Sequence, residues 1–155
     1  LVLEARGSSP KDGMVIGAKH TNYSFEISVE MEIGEGSEGG ILLGGDGIGL
    51  RKGNPPLYEV EKFDPDDYPY VPVLYRNGSQ VMHRAPELVG YGYDDAHIHL
   101  KIINFRNDLS FWYSRDGKEW IKMVRSGYAT DQQPELFAAG KGKVVFKNFR
   151  YKGLE

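Results

Sequence analysis

One stretch of the chain decides the fold, and it reads Leu109-Ser110-Phe111-Trp112-Tyr113-Ser114-Arg115-Asp116-Gly117-Lys118-Glu119-Trp120. Within it Leu109, Phe111 and Tyr113 occupy every second position, and this period of two predicts a β-strand with one buried side. The pair Asp116-Gly117 tolerates positive φ and predicts a tight turn into a second strand. We therefore predict a hairpin in which Trp120 packs in the core, whereas Trp112 lies in the opposite phase and points away from it.

The same alternation continues outward from the hairpin in both directions. It is clearest over residues 23–33, where apolar side chains take every second position, and over residues 97–102, where His97, His99 and Lys101 are predicted to face outward. Shorter strands are predicted at residues 1–5, 14–18, 41–50, 73–76, 80–84, 119–123, 135–139 and 144–152. Because no segment has a helical period, we predict an all-β jelly-roll β-sandwich of two antiparallel sheets with ten or more strands.

Composition limits the classes of function. The chain has 155 residues, no cysteine and a formal net charge of −3, so residues 1–153 suit a single β-sandwich domain without disulfides or thiol chemistry. The scattered Lys and Arg residues form no basic stripe, which argues against nucleic acid, and no apolar run reaches membrane-spanning length. We expect a module of a longer polypeptide, with Leu154 and Glu155 as a cloning remnant.

Two segments are predicted to be irregular. Residues 34–40 are rich in glycine and predict a turn. Residues 54–72 contain five prolines and are predicted to be a stiff inserted loop, because proline cannot donate a hydrogen bond to a neighbouring strand. Asp64, Asp66 and Asp67 in this loop are candidate ligands of a structural calcium ion, but they lack the EF-hand spacing and a solvated loop is the simpler interpretation.

Two motifs in the C-terminal half resemble a known family. They are residues 111–120, quoted above, and residues 136–151, which end in Phe146-x-x-Phe149-x-Tyr151; the opening residues 3–10 also fit. This pattern is similar to the concanavalin A-like β-sandwich at the C-terminus of many glycoside hydrolase family 43 enzymes, the β-xylosidase and arabinofuranosidase group. The resemblance implies a concanavalin A-like fold and an accessory module beside a catalytic propeller. The insertion at residues 54–72 departs from the family pattern.

Candidate catalytic groups lie on two of the predicted strands. Glu26, Glu30 and Glu32 share one strand face, but the spaced-carboxylate pattern of sandwich-fold endoglucanases is missing, so a solvated face is the favoured interpretation. His97 and His99 share a face about 7 Å apart, which suits a metal ion or a polysaccharide lyase. The partners considered for lyase chemistry are Tyr91, Tyr93 and Arg84. No third ligand stands at a diagnostic spacing, so we predict no metal there and favour a hydrogen-bonding surface.

A sugar site needs aromatic platforms surrounded by hydrogen-bonding groups. The aromatic candidates are Trp112, Tyr91, Tyr93, Tyr68 and Tyr70, and the hydrogen-bonding candidates are His83, Arg84, His97 and His99. Trp112 has a second interpretation, in which it is buried against a catalytic domain instead of a sugar. Under either interpretation it is a contact residue.

Taken with the resemblance, these features predict a non-catalytic carbohydrate-binding module that recognises xylan, arabinoxylan or a related hemicellulose and is appended to a glycoside hydrolase. Its expected partners are a polysaccharide or oligosaccharide and the catalytic domain of the same polypeptide, with neither nucleic acid nor membrane. No cofactor is expected apart from the calcium ion considered above, and an extracellular or cell-surface location is favoured. The alternative is a structural accessory domain that docks on a family 43 propeller without sugar affinity, and a minor alternative is a jelly-roll polysaccharide lyase or hydrolase.

Overall fold

The computed structural model describes residues 1–17, 24–44, 46–52, 69–76, 79–80, 93–126 and 133–154, with the backbone alone for residues 76, 79, 80 and 124–126. These ranges contain twelve strands: β1 (Val2–Glu4), β2 (Met14–Gly17), β3 (Phe25–Ile33), β4 (Ser37–Leu43), β5 (Asp46–Lys52), β6 (Tyr70–Arg76), β7 (Ser79–Gln80), β8 (His97–Phe105), β9 (Asp108–Ser114), β10 (Ile121–Ser126), β11 (Pro134–Gly140) and β12 (Lys143–Gly153). No helix in the described ranges is long and apolar enough to cross a membrane.

The strands form two six-stranded sheets. Sheet I has the order β1-β12-β3-β8-β9-β10, and sheet II has the order β2-β11-β4-β5-β6-β7. The strand pairs within both sheets are antiparallel. Side chains from both sheets meet in one hydrophobic core. The predicted all-β sandwich of two antiparallel sheets is therefore confirmed.

Alternation along β3 and β8 builds the centre of sheet I. The inward residues of β3 are Phe25, Ile27, Val29, Met31 and Ile33, each at most 4% exposed, and those of β8 include Ile98, Leu100 and Ile102, each 0% exposed. Burying one side chain of this size contributes roughly 1.5–3 kcal/mol. A slip of one residue would turn the whole apolar set to solvent, so the core fixes which side chains occupy the outer face.

One strand of sheet II begins inside a segment predicted to be a turn. β4 starts at Ser37, within residues 34–40, and all seven of its residues are buried. A Cβ atom on Gly40 would lie 2.2 Å from the backbone oxygen of Ile48 on the neighbouring strand β5. Gly36, with a φ of 78°, does lie in a turn, whereas Gly40 lies within β4 and allows β4 and β5 to approach closely.

A second strand of sheet II begins inside the predicted proline loop. β6 starts at Tyr70 and includes Pro72, which pairs with Leu50 of β5. The backbone N–H of Tyr70 donates to the carbonyl oxygen of Tyr93, on the side away from β5. The backbone nitrogen of Pro72, two residues further on, points to that same side and carries no hydrogen. The proline therefore removes no hydrogen bond between β6 and β5.

The central strands of sheet II, β4, β5 and β6, have buried side chains on both faces. The second face of this sheet carries a separate cluster made of Leu42, Val71, Val73, Tyr75, Phe137 and Ala139. The ring of Tyr75 packs edge-on against Phe137 at 4.9 Å, and its hydroxyl donates to the carboxylate of Glu38 at 2.5 Å. Burial raises the pKa of Tyr75 well above its usual 10. Sheet I differs, because its outer face carries half-buried and exposed polar side chains.

Candidate functional site

The outer face of sheet I, which is the face turned away from the core, aligns polar and aromatic residues in rows across the strands. On β3 and β8 the outward side chains include Glu26, Ser28, Glu30, His97, His99 and Lys101. In the central row Lys101 pairs with Ser28 on one side and with Trp112 of β9 on the other. Arg150 of β12 lies opposite Ser28, and Lys122 of β10 lies opposite Trp112. This row therefore places a tryptophan between two lysines.

Trp112 is half-buried and lies outside the core, as the strand phase predicts. Its indole Nε1 donates a hydrogen bond to the hydroxyl of Ser110 at 2.8 Å. The ammonium groups of Lys101 and Lys122 lie 5.3 and 5.6 Å from the centre of its ring. Both distances allow a cation–π attraction, which holds the indole in one orientation on the outer face.

Trp120 also lies on this face, and the prediction that it packs in the core is wrong. Ile121 pairs with Tyr113 and Lys122 pairs with Trp112, so the register turns Trp120 to the same face as Trp112. The ring of Trp120 is half-buried, and the Lys101 ammonium lies 4.0 Å from its centre. The length of the turn sets this register, and the turn length could not be read from the alternation of the two strands.

An open depression of about 530 Å³ lies on the outer face of sheet I. Its lining includes Glu26, Ser28, Glu30, His99, Lys101, Asp116, Lys118, Trp120, Asn148, Arg150 and Lys152. A wall of this composition can bind hydroxyl groups, since carboxylates accept their hydrogen bonds and lysine, arginine and amide groups donate to them. The indole of Trp120 supplies an apolar surface within the same wall.

Glu30 is oriented by two neighbours at one end of the depression. One carboxylate oxygen lies 2.5 Å from Nε2 of His97, and the other accepts a hydrogen bond from the side-chain amide of Asn148 at 2.9 Å. Asn148 has a φ of 53° and lies where the register between β12 and β3 shifts, which is the geometry of a β-bulge. The hydrogen bond from His97 and then that from Asn148 lower the pKa of Glu30 below its usual 4.5.

His99 and Lys101 have charge states that depend on burial. Burial lowers the pKa of His99 below its usual 6.5, although the nearby Glu30 carboxylate opposes this effect. Burial also lowers the pKa of Lys101, against the effect of the Glu26 carboxylate 4.0 Å away. Burial thus favours the neutral imidazole of His99, which can accept one hydrogen bond and donate another.

The turn between β9 and β10 closes the depression from one side. The carboxylate of Asp116 accepts hydrogen bonds from the backbone N–H groups of Lys118 and Glu119 at 2.8 and 3.0 Å. These two bonds lower the pKa of Asp116 to about 2. Gly117 has a φ of 78°, and a Cβ atom there would lie 3.1 Å from the ring of His99. The turn therefore packs directly on the His99 imidazole.

Two predicted sugar ligands lie elsewhere. Tyr93 is 3% exposed and belongs to the core, where its ring packs edge-on against Tyr113 and its hydroxyl donates to the carbonyl oxygen of His97. The prediction that Tyr93 stacks on a sugar is therefore wrong: its apolar ring completes the core while its hydroxyl is satisfied internally. Tyr70 is half-buried, packs against the same core and lies on β6 of sheet II, so it does not share the outer face of sheet I.

Other candidates lie outside the described residues and stay predictions. They are Tyr68, His83, Arg84 and Tyr91 for sugar binding and Asp64, Asp66 and Asp67 for calcium. Of the predicted site residues that the structure describes, it brings Trp112, His97 and His99 together on one face.

Some residues of the depression were not identified as site residues from the sequence. Lys101 was predicted to face outward, and its alternation with His97 and His99 was the signal that could have included it. Asn148 and Arg150 could not be placed, because the bulge in β12 changes the strand phase between Lys147 and Arg150. A bulge of this kind leaves no clear mark in a period-two pattern.

Comparisons with known proteins identify the fold. No family model matches the chain, and no curated protein does. The GH43 protein BlXynB from Bacillus licheniformis matches with a TM-score of 0.62 and 15% identity over 98% of this chain and 32% of its own. The xylan beta-1,4-xylosidase from Bacillus halodurans C-125 matches with a TM-score of 0.65 and 11% identity over 97% of this chain and 32% of the enzyme.

A lectin-like structure matches as well. The exoplasmic/lumenal domain of VIP36, in its Ca²⁺/Man2-bound form, has a TM-score of 0.52 and 11% identity over 86% of this chain and 67% of its own. The chain spans about a third of each of the two Bacillus proteins, namely 32%. At these identities the likeness concerns architecture alone, so the chain has the β-sandwich fold that also occurs in GH43 enzymes and in a mannose-bound lumenal domain.

Proposed function

We propose that this chain is a non-catalytic carbohydrate-binding module and that the outer face of sheet I binds a plant cell-wall polysaccharide of the xylan or arabinoxylan type. The observation that carries the proposal is the depression lined by Trp120 and by a wall of hydrogen-bonding side chains, with Trp112 next to the lining residue Lys101 on the same face. Its volume of about 530 Å³ falls within the roughly 300–1,000 Å³ of ordinary ligand sites.

Lys101 is central to the proposed recognition. Its ammonium lies within 4.0 to 5.3 Å of both indole rings and 4.0 Å from a carboxylate oxygen of Glu26. A sugar ring laid against an indole would bring its hydroxyls beside this ammonium and this carboxylate. The apolar ring face and the polar groups of one sugar would then be satisfied together, as binding in water requires.

Glu26 and Glu30 in this depression do not have the geometry of a glycosidase pair. Glycosidase carboxyls stand roughly 5–9.5 Å apart, and the acid of the pair has a raised pKa. Glu26 and Glu30 are four residues apart on one strand, so their α-carbons are about 13 Å apart. The pKa of Glu30 is lowered instead of raised. These groups suit hydrogen bonding to sugar better than cleavage.

The choice of polymer rests on the family resemblance together with the structural neighbours. Two of those neighbours are a GH43 protein and a xylan beta-1,4-xylosidase, and a third is a domain solved with mannose. A module of such an enzyme would hold its catalytic domain near the polymer, which raises the effective concentration of substrate. This role implies an extracellular or cell-surface location.

A second candidate function is docking on a catalytic propeller without sugar affinity. The observation that favours it is the share of the two Bacillus proteins that the chain matches, 32% of each. Under this alternative the indoles of Trp112 and Trp120 would contact protein, because aromatic residues are enriched in protein interfaces.

Affinity electrophoresis separates the two functions. We expect soluble xylan or arabinoxylan in the gel to retard the chain, β-glucan and levan to retard it less, and Trp112→Ala to remove the retardation. Chelator in a parallel gel tests whether the candidate residues Asp64, Asp66 and Asp67 hold a calcium ion that binding requires. The matched control is Phe105→Ala, an aromatic that is 44% exposed and four residues along β8 from Lys101.

The outcomes exclude one another. Retardation that is lost in Trp112→Ala and kept in Phe105→Ala supports sugar binding on the outer face of sheet I. Equal mobility in every gel, together with association between the chain and a separately purified family 43 catalytic domain, would replace the sugar proposal with docking.

A further inference from the structure

Three metal-ligating side chains meet on the outer face of sheet I. The candidate ligand atoms of Glu30, His97 and His99 all lie within 4.8 Å of one another. We propose that these three residues form a binding site for a divalent transition-metal ion, with Zn²⁺ as the representative ion. Glu30 and His99 also line the depression proposed to bind sugar, but metal binding is measured without sugar and does not depend on the identity of the polymer.

Strand geometry brings the three side chains to one point. His97 and His99 are two residues apart on β8 and therefore project from the same face. Glu30 lies on the neighbouring strand β3, directly opposite His99. Its carboxylate reaches diagonally to His97. The two imidazole rings are 5.2 Å apart and nearly perpendicular, at 84°. They therefore do not stack face to face, and a nitrogen of each ring lies within 4.8 Å of the other candidate ligand atoms.

The distances require only small movements of these side chains. Zn²⁺ lies about 2.0–2.2 Å from nitrogen and oxygen ligands, so two ligands at a tetrahedral angle are about 3.4 Å apart. The Glu30 oxygen and His97 Nε2 are now 2.5 Å apart, and the largest separation in the group is within 4.8 Å. Rotation of the side chains by about 1 Å at the ligand atoms brings both distances to the coordination value, with the strands unchanged.

Asn148 positions the carboxylate from the other side. Its amide donates to the Glu30 oxygen that does not contact His97, at 2.9 Å. Partners of this kind fix the orientation of a metal ligand and raise its affinity. The bulge that places Asn148 thus has a consequence for the proposed site, although Asn148 would not touch the ion.

The ligand types select the class of ion. Imidazole nitrogen favours Zn²⁺, Ni²⁺ and Cu²⁺, whereas Ca²⁺ and Mg²⁺ require mostly oxygen ligands. Glu30 and His97 are partly accessible, with side-chain exposures of 24% and 31%, so an ion from solution can reach them. Three protein ligands leave at least one position of a tetrahedral ion for water or for an oxygen of a bound molecule.

The test uses the metal alone. Chain purified without a histidine tag and stripped with chelator is titrated with ZnCl₂ against a chromophoric chelator, and separately with CaCl₂. We expect one Zn²⁺ per chain and no comparable binding of Ca²⁺. His97→Ala and His99→Ala should each weaken Zn²⁺ binding by at least about tenfold, with a smaller loss in Asn148→Ala. His20→Ala, which removes a histidine outside the proposed site, should bind as the unaltered chain does.

Folding of each variant is checked by circular dichroism, and imidazole NMR signals give a second measurement on the unaltered chain. Zn²⁺ should shift the ring signals of His97 and His99 before those of His20 and His83. Failure to bind Zn²⁺, unchanged binding in the double variant His97→Ala/His99→Ala, or equal binding of Ca²⁺ would overturn the proposal. None of these results bears on xylan retardation, which is measured in chelator as well.

Discussion

Lys101 links the two indoles of the candidate site. Its ammonium lies 4.0 Å from the centre of the Trp120 ring and 5.3 Å from that of Trp112. We predict that Lys101→Met lowers the affinity for xylan by about tenfold or more, because one hydrogen bond from a charged donor contributes roughly 1.5–3 kcal/mol. Affinity electrophoresis at several xylan concentrations measures the change.

Lys122→Met is the matched control for this prediction. The Lys122 ammonium lies 5.6 Å from Trp112 and is not among the residues that line the depression. Both changes retain a hydrocarbon stem of similar length, so each should alter the free energy of unfolding by no more than about 0.5 kcal/mol. Equal loss of affinity in the two variants would show that overall positive charge matters and that the position of Lys101 does not.

For single residues, the sequence predicted which side chains face away from the core, but it did not predict which residues contact one another. Alternation alone placed Trp112, His97 and His99 outside the core, and their burial in the structure agrees. It gave no information about Tyr93, which was assigned to a loop and is 3% exposed, because a residue in a predicted loop has no strand phase. The diagonal contact from Glu30 to His97 depends on which strands are neighbours, and a single sequence does not contain that information.

Among the elements, the turn between β9 and β10 sets the position of Trp120. Gly117 has a φ of 78°, and a Cβ atom there would meet the His99 ring at 3.1 Å. We predict that Gly117→Ala destabilises the chain by about 1–2 kcal/mol, since left-handed backbone is costly for alanine. Chemical denaturation measures the free energy of unfolding. In a chain that also carries His99→Ala, the part of this destabilisation that comes from contact with the His99 ring should disappear. An equal or larger loss in the free energy of unfolding there would contradict the packing of Gly117 on His99.

Asp116 gives the same turn a dependence on pH. Its pKa is lowered from 3.8 to about 2 by backbone hydrogen bonds from Glu119 and Lys118. A carboxyl with a lowered pKa in the folded chain contributes stability above its ordinary pKa, and that contribution is lost as the pH falls through the folded value. We therefore predict that the unaltered chain loses more stability than Asp116→Ala between pH 4 and about pH 2. Thermal unfolding at successive pH values measures this, and parallel curves would contradict it.

The strands themselves were largely predictable, whereas their irregularities were not. The long alternating strands β3 and β8 appear where the sequence indicates them. β4 and β6 begin earlier than predicted, because Gly40 allows close strand approach and Pro72 faces away from the β5 ladder. The bulge near Asn148 was likewise invisible, since local composition does not determine where one strand gains a residue over its partner.

For the molecule as a whole, sugar binding should stabilise the fold. A ligand that binds only the folded chain, at a hundred times its dissociation constant, raises the free energy of unfolding by about 2.7 kcal/mol. For a chain of this length that corresponds to a rise in Tm of roughly 5–10 °C. Differential scanning fluorimetry with xylo-oligosaccharide measures it, and the double variant Trp112→Ala/Trp120→Ala should show no rise. A rise of equal size in that variant would place the ligand elsewhere.

At this scale the sequence predicted the architecture and left the site incomplete. The period-two pattern and the absence of a helical period predicted two antiparallel sheets, and the structure has them. The depression, however, combines residues from β3, β8 and β12 with the turn after β9. Their assembly depends on the order β12-β3-β8-β9, in which the last strand, β12, lies beside β3.

Sugar binding on the outer face of sheet I is tested most directly by an NMR titration of the two indole N–H signals with xylo-oligosaccharide. The chain has only two tryptophans, so two signals report on the outer face of sheet I. Assignment by Trp112→Phe and Trp120→Phe identifies each one. Both signals are expected to shift and to saturate at a single dissociation constant. Binding that leaves both signals unmoved, while backbone signals of sheet II shift, would contradict this expectation.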